Sequence, residues 1–362
     1  MHKESNPPRE SKTQAGRVDR WLRRVISASA YVRTAFLSLS LCAGNAAADY
    51  LARPETQAFI QRMVTQHGFE RAELEQVFRQ AERKDSILKA ISRPAERSKP
   101  WYEYRDIFLT SKRIQQGVRF WQANEKTLER AATEYAVAPE IIVAILGVET
   151  RYGKNTGSYR VIDALSTLAF DYPPRSRFFG SELEQFLLLA REEGMQPLSL
   201  KGSYAGAMGY GQFIPSSFRA YAVDFDGDKR RDIWNNTSDA IGSVANYFAR
   251  HGWQHDADVI TRVELLNGSN PGIDELVNSS LKPEISALEL KRVGVSLNAT
   301  LAASQSPFAL FRMQGEESPE YWLGAHNFYV ITRYNRSRLY ALAVFQLGQA
   351  IARERALGLA SN

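Results

Sequence analysis

Apolar residues recur at helical spacing through most of this 362-residue chain. Where they fall three and four residues apart, the pattern predicts amphipathic helices. These predicted helices cover 55–65, 71–83, 111–135, 164–170, 178–193 and 239–252. One intervening segment, 100–105, combines a proline with three aromatic residues and is predicted to be a loop.

A further predicted helix, 139–149, is apolar at nearly every position and ends with Glu149. A carboxyl group on the last turn of a buried helix is partly stripped of water, which disfavours its charged form and raises its pKa. A carboxylic acid that keeps its proton near neutral pH can act as a general acid. The alternative is a solvated glutamate whose ion partner is Arg151.

From Val259 the pattern changes to short alternating runs, which predict strands over 259–265, 288–293 and 308–313. An apolar helix follows and extends to residue 350. The predicted fold class is therefore mainly α (α+β). Its predicted parts are a leader over 1–48, a helical lobe over 49–135, a core over 136–256, a small β-rich lobe over 257–326 and a C-terminal helix over 327–362 that returns to the core.

The formal net charge of +6 belongs almost entirely to the leader. Of 46 basic and 40 acidic residues, 8 basic and 3 acidic ones lie in residues 1–48, which leaves 38 and 37 for the rest. The globular part therefore gives no electrostatic argument for a nucleic-acid partner. The chain has one cysteine, which excludes a disulfide framework and a metal site built from cysteines.

The leader has the features of a secretory signal peptide. A basic segment around Arg20–Arg24 precedes a short apolar run, 35–43, and the small residues Ala46, Ala47 and Ala48 offer a cleavage site. We expect export to the periplasm. The alternative is an outer-membrane lipoprotein anchored through Cys42, although a lipobox requires a small residue where this chain has Leu41.

A glycine-rich stretch over 202–215 is the next candidate for a ligand site. Its glycines allow positive φ angles and a close approach of the backbone to a ligand. Ser203 and Gln212 add short polar groups that could point into a cleft. A flexible linker is the alternative, but this stretch also contains large apolar residues, which linkers lack.

Residues 224–235 resemble an EF-hand loop, whose oxygen ligands suit a hard cation such as Ca²⁺. Lys229 replaces the usual glycine at position 6, and Asn235 replaces the closing glutamate at position 12. Asp239 could close the site if the loop is longer than usual. A plain solvated turn is the alternative. The candidate ligands are Asp224, Asp226, Asp228, the carbonyl of Arg230, Asp232 and Asp239.

Other chemistries lack their sequence signals. The five histidines show no ligand spacing for a catalytic metal, and the chain has no Gly-x-Ser-x-Gly elbow or Walker loop. A mechanism with one acid, acting on a polymer of polar rings, remains compatible with the residues.

Five separated motifs, in the same order, resemble the lytic murein transglycosylase B family: 149–153, 202–215, 224–234, 239–252 and 327–335. The resemblance implies a lysozyme-like α-rich core with added α and β lobes. It also implies cleavage, without water, of the β-1,4 bond between N-acetylmuramic acid and N-acetylglucosamine in peptidoglycan, which leaves a 1,6-anhydromuramoyl end. Glu149 would be the sole catalytic acid and base.

The resemblance carries further expectations about the site. It places Ser203, Gln212, Tyr247, Tyr334, Tyr340 and Tyr104 around the cleft. It places Arg175 near the lactyl or peptide carboxylates, although the family has two adjacent arginines where this chain has Pro174 and Arg175.

The expected ion is a structural Ca²⁺, with Na⁺ as a possible replacement, and no organic cofactor is expected. The expected partners are peptidoglycan glycan strands and other cell-wall enzymes, but no nucleic acid, and the chain is expected to be a monomer. A hydrolytic muramidase of the same fold and a calcium-dependent, non-enzymatic glycan-binding scaffold are the competing functions.

Overall fold

The computed structural model describes residues 50–92, 99–266 and 272–360, which belong to one compact unit. The predicted signal peptide and Cys42 lie outside the described residues. The mainly α (α+β) class is confirmed by the elements that the described residues form.

The helices are α1 Pro54–His67, α2 Arg71–Gln80, α3 Asp85–Ile91, α4 Trp101–Phe108, α5 Ser111–Ala123, α6 Glu125–Tyr135, α7 Pro139–Thr150, α8 Val161–Asp171, α9 Ser176–Glu192, α10 Pro215–Tyr221, α11 Thr237–Arg250, α12 Ile273–Leu276, α13 Ala287–Arg292, α14 Ala299–Ala303, α15 His326–Tyr334 and α16 Arg338–Ala360. The strands are β1 Tyr159–Arg160, β2 Lys201–Gly202, β3 Ile260–Val263, β4 Ala309–Gln314 and β5 Pro319–Gly324.

Helix α7 is the central element of the fold. Pro139 occupies its first turn, where the missing N–H costs no hydrogen bond. Residues 141–147 are all buried, and α5, α6, α11 and α16 pack around them. Burying a side chain such as Ile145 contributes roughly 1.5–3 kcal/mol. The predicted apolar core helix is therefore confirmed.

Helix α16 packs closely against α7 and α5 because glycines lie at the contacts. A Cβ on Gly348 would lie 2.9 Å from the carbonyl oxygen of Glu140, and a Cβ on Gly117 would lie 2.5 Å from Cδ1 of Ile351. At Gly348 the neighbour is backbone, so a larger residue would require a shift of the helices, whereas at Gly117 the side chain of Ile351 would have to move. The C-terminal helix thus returns to the core, as the sequence predicts.

A second hydrophobic cluster joins α1, α2 and α3 to α8, α9 and α10. Phe59 and Phe78 pack edge to face with ring centroids 5.7 Å apart, and both contact Phe170 of α8. Helices α4, α5 and α6 pack instead with α7 and α16. The segment 49–135, predicted as one helical lobe, therefore contributes to two hydrophobic clusters.

The β-rich region contains a three-stranded antiparallel sheet with β5 between β3 and β4. In this sheet Ile260 pairs with Gly324, and Leu310 pairs with Leu323. Two of the three predicted strands are confirmed by β3 and β4. One face of the sheet packs on a third hydrophobic cluster that includes Leu290.

The strand predicted over 288–293 is wrong, because these residues belong to helix α13. Ser286 and Glu289 form a capping box, in which Ser286 Oγ accepts the N–H of Glu289 and the Glu289 carboxylate accepts the N–H of Ser286 at 2.9 Å. Leu290 is buried whereas Leu288 is 58% exposed, so the two leucines do not mark one face of a strand.

Two predictions in the helical region also differ from the structure. The predicted aromatic loop over 100–105 belongs largely to helix α4, which begins directly after Pro100, and Trp101 and Tyr104 share its buried face. The predicted single helix over 111–135 is two helices. They part at Asn124, whose backbone leaves the helical conformation and whose Nδ2 donates to the carbonyl of Phe120 at 2.8 Å.

Among the described residues, no single helix is long and apolar enough to cross a bilayer. Helices α6 and α7 reach the length and composition of a membrane span only when taken together, and the pair is bent by 115°.

Glu182 on α9 is a buried carboxyl group that holds the start of α10, directly after the glycine-rich stretch. Its Oε2 accepts the N–H of Ser216 at 2.9 Å, and its Oε1 accepts the Ser216 hydroxyl at 2.7 Å. Burial raises the pKa of Glu182 above its ordinary value, and the two hydrogen bonds from Ser216 oppose this rise.

We expect Glu182→Gln to remove one pH dependence of the stability. Because the pKa is raised in the folded state, the contribution of Glu182 to the free energy of unfolding is complete below its unfolded pKa. It is lost as the pH rises through the folded pKa. The free energy of unfolding of the variant minus that of the parent should therefore increase above the ordinary value of 4.5. Urea denaturation at a series of pH values measures this difference.

Glu192→Gln on the same helix provides a control of opposite sign. The hydrogen bond from Arg219 lowers the pKa of Glu192, so its contribution is present above its unfolded pKa and is lost as the pH falls. The free energy of unfolding of Glu192→Gln minus that of the parent should then decrease with rising pH. A difference for Glu182→Gln that does not change with pH would contradict the argument.

Candidate active site

Glu149 is half-buried and lies on the last turn of α7. The helix is closed by the N–H groups of Arg151 and Tyr152, which donate to the carbonyls of Gly147 and Leu146 at 3.2 and 2.9 Å. Arg151 and Tyr152 have φ angles of 52° and 61°, in the left-handed region that side chains disfavour. Such strain is concentrated at functional sites, and here it directly follows the candidate acid.

Tyr340 of α16 is the direct partner of this carboxyl group. Its hydroxyl donates to Oε1 of Glu149 at 2.6 Å. The side chain is 3% exposed, and burial, followed by the charge of Glu149, holds the pKa of Tyr340 well above its ordinary value. The tyrosine therefore keeps its proton and orients the Glu149 carboxyl group as a hydrogen-bond donor.

Tyr334 and Tyr247 form a ring pair beside this contact. The rings meet edge to face with centroids 4.7 Å apart. The Tyr334 hydroxyl donates to the carbonyl of Gly211 at 2.5 Å, and the Tyr247 hydroxyl donates to the carbonyl of Arg333 at 2.6 Å. Burial raises the pKa of Tyr334, and the charge of Glu149 is the next cause. Tyr334 thus lies within electrostatic reach of Glu149.

The glycine-rich stretch is a compact loop whose own hydrogen bonds hold its predicted site residues. The Ser203 hydroxyl accepts the N–H of Ala207 at 3.0 Å. Gln212 has a φ angle of 52°, and its Nε2 donates to the carbonyls of Thr156 at 3.1 Å and Gly209 at 2.9 Å. With Met208 and Phe213 buried inside the loop, its backbone is part of the core and not a linker.

Thr150 joins this loop to the end of α7; it lies within the 149–153 motif, which assigned no role to it. The side chain is fully buried. Its hydroxyl donates to the carbonyl of Tyr210 at 2.8 Å and accepts the N–H of Gly153 at 3.0 Å. The contact spans 60 positions of sequence, so local sequence patterns could not have shown it.

The same loop is also bonded to the acidic loop. The N–H of Tyr210 donates to the carbonyl of Ile233 at 2.9 Å. The residue before Ile233 is Asp232, whose N–H donates to Asp239 Oδ2 at 2.7 Å. A continuous path of backbone and side-chain contacts therefore runs from Thr150 to Asp239.

Three of the predicted cation ligands converge. Asp224, Asp226 and Asp239 each offer a carboxylate oxygen, and these oxygens lie within 4.8 Å of one another. Asp239 is buried, and burial raises its pKa to about 6, with the charges of Asp226 and Asp224 adding to the rise. A buried carboxyl group beside two others fits a site for a hard cation.

The other predicted ligands are placed differently. Asp228 accepts the N–H of Arg230 at 2.9 Å, and Asp232 accepts the N–H groups of Trp234 and Asn235 at 2.9 and 3.0 Å. Their carboxylates lie outside the group of three that converges. Participation of Asp228, Asp232 and the Arg230 carbonyl stays a prediction.

Tyr104 and Arg175 have different surroundings. Tyr104 is 2% exposed, packs on Phe108, and contributes to the raised pKa of Tyr340, which places it beside the Glu149 partner. The Arg175 guanidinium is exposed and lies over the ring of Phe178 at 4.2 Å. This contact with Phe178 does not connect Arg175 to Glu149, so the role of Arg175 stays a prediction.

A cleft of about 1240 Å³ opens next to these residues. Tyr204, Asn335 and Leu339, which are adjacent in sequence to Ser203, Tyr334 and Tyr340, form part of its wall. Trp101 and Tyr172 add aromatic surface from two other segments. None of the described residues that line this cleft is Asp or Glu. The volume and the aromatic surface can accommodate a polymer of polar rings, although Glu149 is not itself among the residues that line the cleft.

Comparison with known proteins gives concordant results. A family model described as Transglycosylase SLT domain matches residues 52–349. The chain is 46% identical over 316 residues to the membrane-bound lytic murein transglycosylase B of Escherichia coli K12, which is 85% of each chain. The solved structure of soluble lytic transglycosylase SltB1 of Pseudomonas aeruginosa is 52% identical, with a TM-score of 0.79 over 84% of this chain and 100% of that one. Lytic transglycosylase Slt35 of Escherichia coli in complex with calcium is 45% identical, with a TM-score of 0.78 over 85% of this chain and 96% of that one.

We expect Thr150→Val to destabilise the protein by about 1–3 kcal/mol, the cost of leaving a buried hydrogen-bonding group without its partner. The substitution preserves the shape of the side chain but removes its bonds to Tyr210 and Gly153. The free energy of unfolding from urea denaturation is the measurement. Thr133→Val, at an exposed position of α6, is the matched control and should change this free energy by less than about 0.5 kcal/mol. Equal effects at the two positions would contradict the role given to Thr150.

Proposed function

The chain belongs to the Transglycosylase SLT domain family, and from this premise we propose that Glu149 is the single general acid and base with which it cleaves peptidoglycan. The lysozyme-like fold and the activity of a peptidoglycan lytic transglycosylase, a lyase acting on a polysaccharide, follow from the family. A non-enzymatic scaffold is thereby set aside. The observation that carries the proposal is the 2.6 Å hydrogen bond from Tyr340 to Glu149 at the end of the buried helix.

In the first step Glu149 acts as the acid. Its proton passes to the glycosidic oxygen between the muramoyl and glucosaminyl residues, and the bond from that oxygen to the muramoyl C1 breaks. Positive charge develops at C1 and the ring oxygen, while Glu149 becomes a carboxylate. The half-buried position at the carboxyl end of α7, where the helix dipole disfavours a negative charge, favours the protonated form, whereas the hydrogen bond from Tyr340 favours the carboxylate. These opposing effects suit a group that must both release and regain a proton.

In the second step Glu149 acts as the base. The oxygen of the muramoyl C6 hydroxyl attacks C1, and the carboxylate takes the proton that this hydroxyl releases. The product is a 1,6-anhydromuramoyl end, and Glu149 is returned to its protonated form. Tyr340 supports both steps by holding one oxygen of the carboxyl group in place.

The family assignment supports a route without water. Glycosidases that use water require a second carboxyl group, either as a nucleophile or as a base that activates the water. A substrate that provides its own nucleophile does not need it. A hydrolytic muramidase is the competing function.

The remaining site residues are proposed to bind the glycan strand. Their polar groups support contacts with sugar hydroxyls and acetamido groups, and the residues that follow Ser203 and Tyr334 line the cleft. Arg175 would meet carboxylates of the lactyl group or peptide from the exposed rim of α9. These proposed binding residues are Ser203, Gln212, Tyr247, Tyr334, Tyr340, Tyr104 and Arg175.

We propose that the enzyme works in the periplasm, as the predicted leader and the membrane-bound relative suggest. Its substrate is the peptidoglycan strand, and it would act there as a monomer beside other cell-wall enzymes.

We further propose that the acidic loop holds a structural Ca²⁺, with Na⁺ as a possible replacement. The convergence of Asp224, Asp226 and Asp239 supports this proposal, because a cation would offset the repulsion among three carboxylates. The calcium complex of Slt35 adds support from a relative. The ion would secure the path of contacts to Thr150, and no catalytic step requires it.

We expect Glu149→Gln to lower the cleavage rate by about 10²–10⁴-fold, since a positioned acid or base contributes a factor of this size. The change keeps the shape of the side chain but removes its proton. Release of soluble fragments from purified murein measures the rate, and mass spectrometry identifies the products. The parent products should be lighter by one water than hydrolytic products.

Glu140→Gln, which is half-buried like Glu149 but lies in the first turn of the same helix, is the control and should retain the parent rate within about twofold, because it lies at the opposite end of α7 from the site. Reducing ends without anhydro products would favour the muramidase. Undiminished cleavage by Glu149→Gln would show that another group is the acid.

Calcium should raise the thermal midpoint of the parent by about 5 °C, because binding to the folded state alone adds stability through mass action. Calorimetry with EDTA and then with excess calcium measures the shift. Asp226→Asn removes one member of the converging group and should abolish the shift, whereas Asp228→Asn should keep it. If calcium no longer raised the thermal midpoint of either variant, Asp228 would also be a ligand, as the sequence predicts. Loss of turnover in EDTA below the thermal midpoint, with no change in that midpoint, would refute a structural role.

A further inference from the structure

The 1240 Å³ cleft lined in part by Tyr204, Asn335 and Leu339 has an uneven distribution of charge. Its lining includes Lys99, Arg312, Arg336 and Arg338, while none of the described lining residues is acidic. The part of the chain after the leader is nearly neutral, so this concentration of positive charge is local. A cleft of this kind favours ligands with negative groups.

Most of these cations are already paired or well hydrated. Lys99 Nζ lies 3.1 Å from a carboxylate oxygen of Glu103, and Arg312 Nη1 lies 3.0 Å from a carboxylate oxygen of Asp274. The Arg336 side chain is exposed, so water can solvate it. None of these three residues requires a ligand to satisfy its charge.

Arg338 differs from these three residues because it is less exposed to water than Arg336 and has no ion pair among the described residues. It is half-buried, and its Nε is buried without a hydrogen-bond partner among the described residues. Burial lowers its pKa, and no carboxylate in the described part of the chain opposes that effect. The buried Nε has lost water without gaining a hydrogen-bond acceptor among the described residues, which is costly to the free protein. A ligand carboxylate that accepts from the guanidinium would offset this cost.

The position of Arg338 relates this feature to the reaction. It is the first residue of α16, two positions before Tyr340, which holds Glu149. On the proposed function, the muramoyl residue that reacts at Glu149 carries the stem peptide on its lactyl group. A peptide extends by at most about 3.3–3.6 Å per residue, so a stem of a few residues can reach along the cleft wall. Its carboxylates are the anions that the substrate can present there.

We propose that Arg338 contributes to specificity for peptide-bearing strands by binding a carboxylate of the stem peptide, a contact separate from the one proposed for Arg175. This proposal rests on the proposed function and adds the part of the substrate that lies beyond the glycan. The planar guanidinium can donate two parallel hydrogen bonds to one carboxylate, which lysine cannot do.

Binding is best measured in the Glu149→Gln background, where the ligand survives. Calorimetry gives the Kd of a soluble muramoyl oligosaccharide with stem peptides and of the same oligosaccharide after the peptides are removed. With Arg338 present, the peptide-bearing ligand should bind more tightly. Arg338→Gln should reduce the ratio of the two Kd values by about tenfold or more, as expected for a hydrogen bond between charged groups. Arg338→Lys should give an intermediate ratio, because it keeps the charge and loses the paired donors.

Arg353→Gln, an exposed change of the same charge on the same helix, should leave the ratio as it was. The thermal midpoint of each variant shows whether it is folded, and the lysine variant remains informative if the glutamine variant is not. A ratio near one with Arg338 present, equal weakening of both ligands by Arg338→Gln, or no effect on either would overturn the proposal. Cleavage of the ligand by the Glu149→Gln protein would refute the proposed acid instead, and would be detected separately by mass spectrometry.

Discussion

The burial of α7 on every side is the constraint on which the other elements depend. A helix that is apolar around its whole circumference must be covered by other helices, and this requirement sets the places of α5, α6, α11 and α16. A polar side chain on α7 can then reach solvent most readily at the end of the helix. The location of Glu149 is therefore a consequence of how the core packs, and the precision of the site derives from the rigidity of that core.

The partners of Glu149 come from distant parts of the chain. Tyr340 follows it by 191 positions and reaches it because α16 lies directly on α7, where Gly348 permits a close approach of the two backbones. Thr150 connects the same end of α7 to the glycine-rich loop. The carboxyl group is thus held by Tyr340 of α16, and the glycine-rich loop holds the end of the helix that carries it. This arrangement restricts the acid to a small range of positions before any substrate arrives.

The sequence predicted those features that depend on local composition. The apolar run of α7, the acid at its end and the alternation in β3 and β4 are local patterns. The tyrosines of the site came from resemblance to a family, because no periodicity marks a hydroxyl that crosses between two helices. The predictions for 100–105 and 288–293 were wrong because a short apolar pattern is compatible with a loop, a strand or a helix. In both segments the residues at the start favour a helix. Thr150 and Arg338 could be recognised only from burial and from distances between remote segments.

The path from Thr150 through Tyr210 and Ile233 to Asp239 has a thermodynamic consequence. The acidic loop and the end of α7 are parts of one bonded structure, so the order of one contributes to the order of the other. If an ion at the acidic loop changes the affinity for a glycan at the cleft, the glycan must change the affinity for the ion by the same factor. The two ends of this path would then act as reciprocal effectors, and the calcium affinity of the protein would depend on whether its cleft is filled.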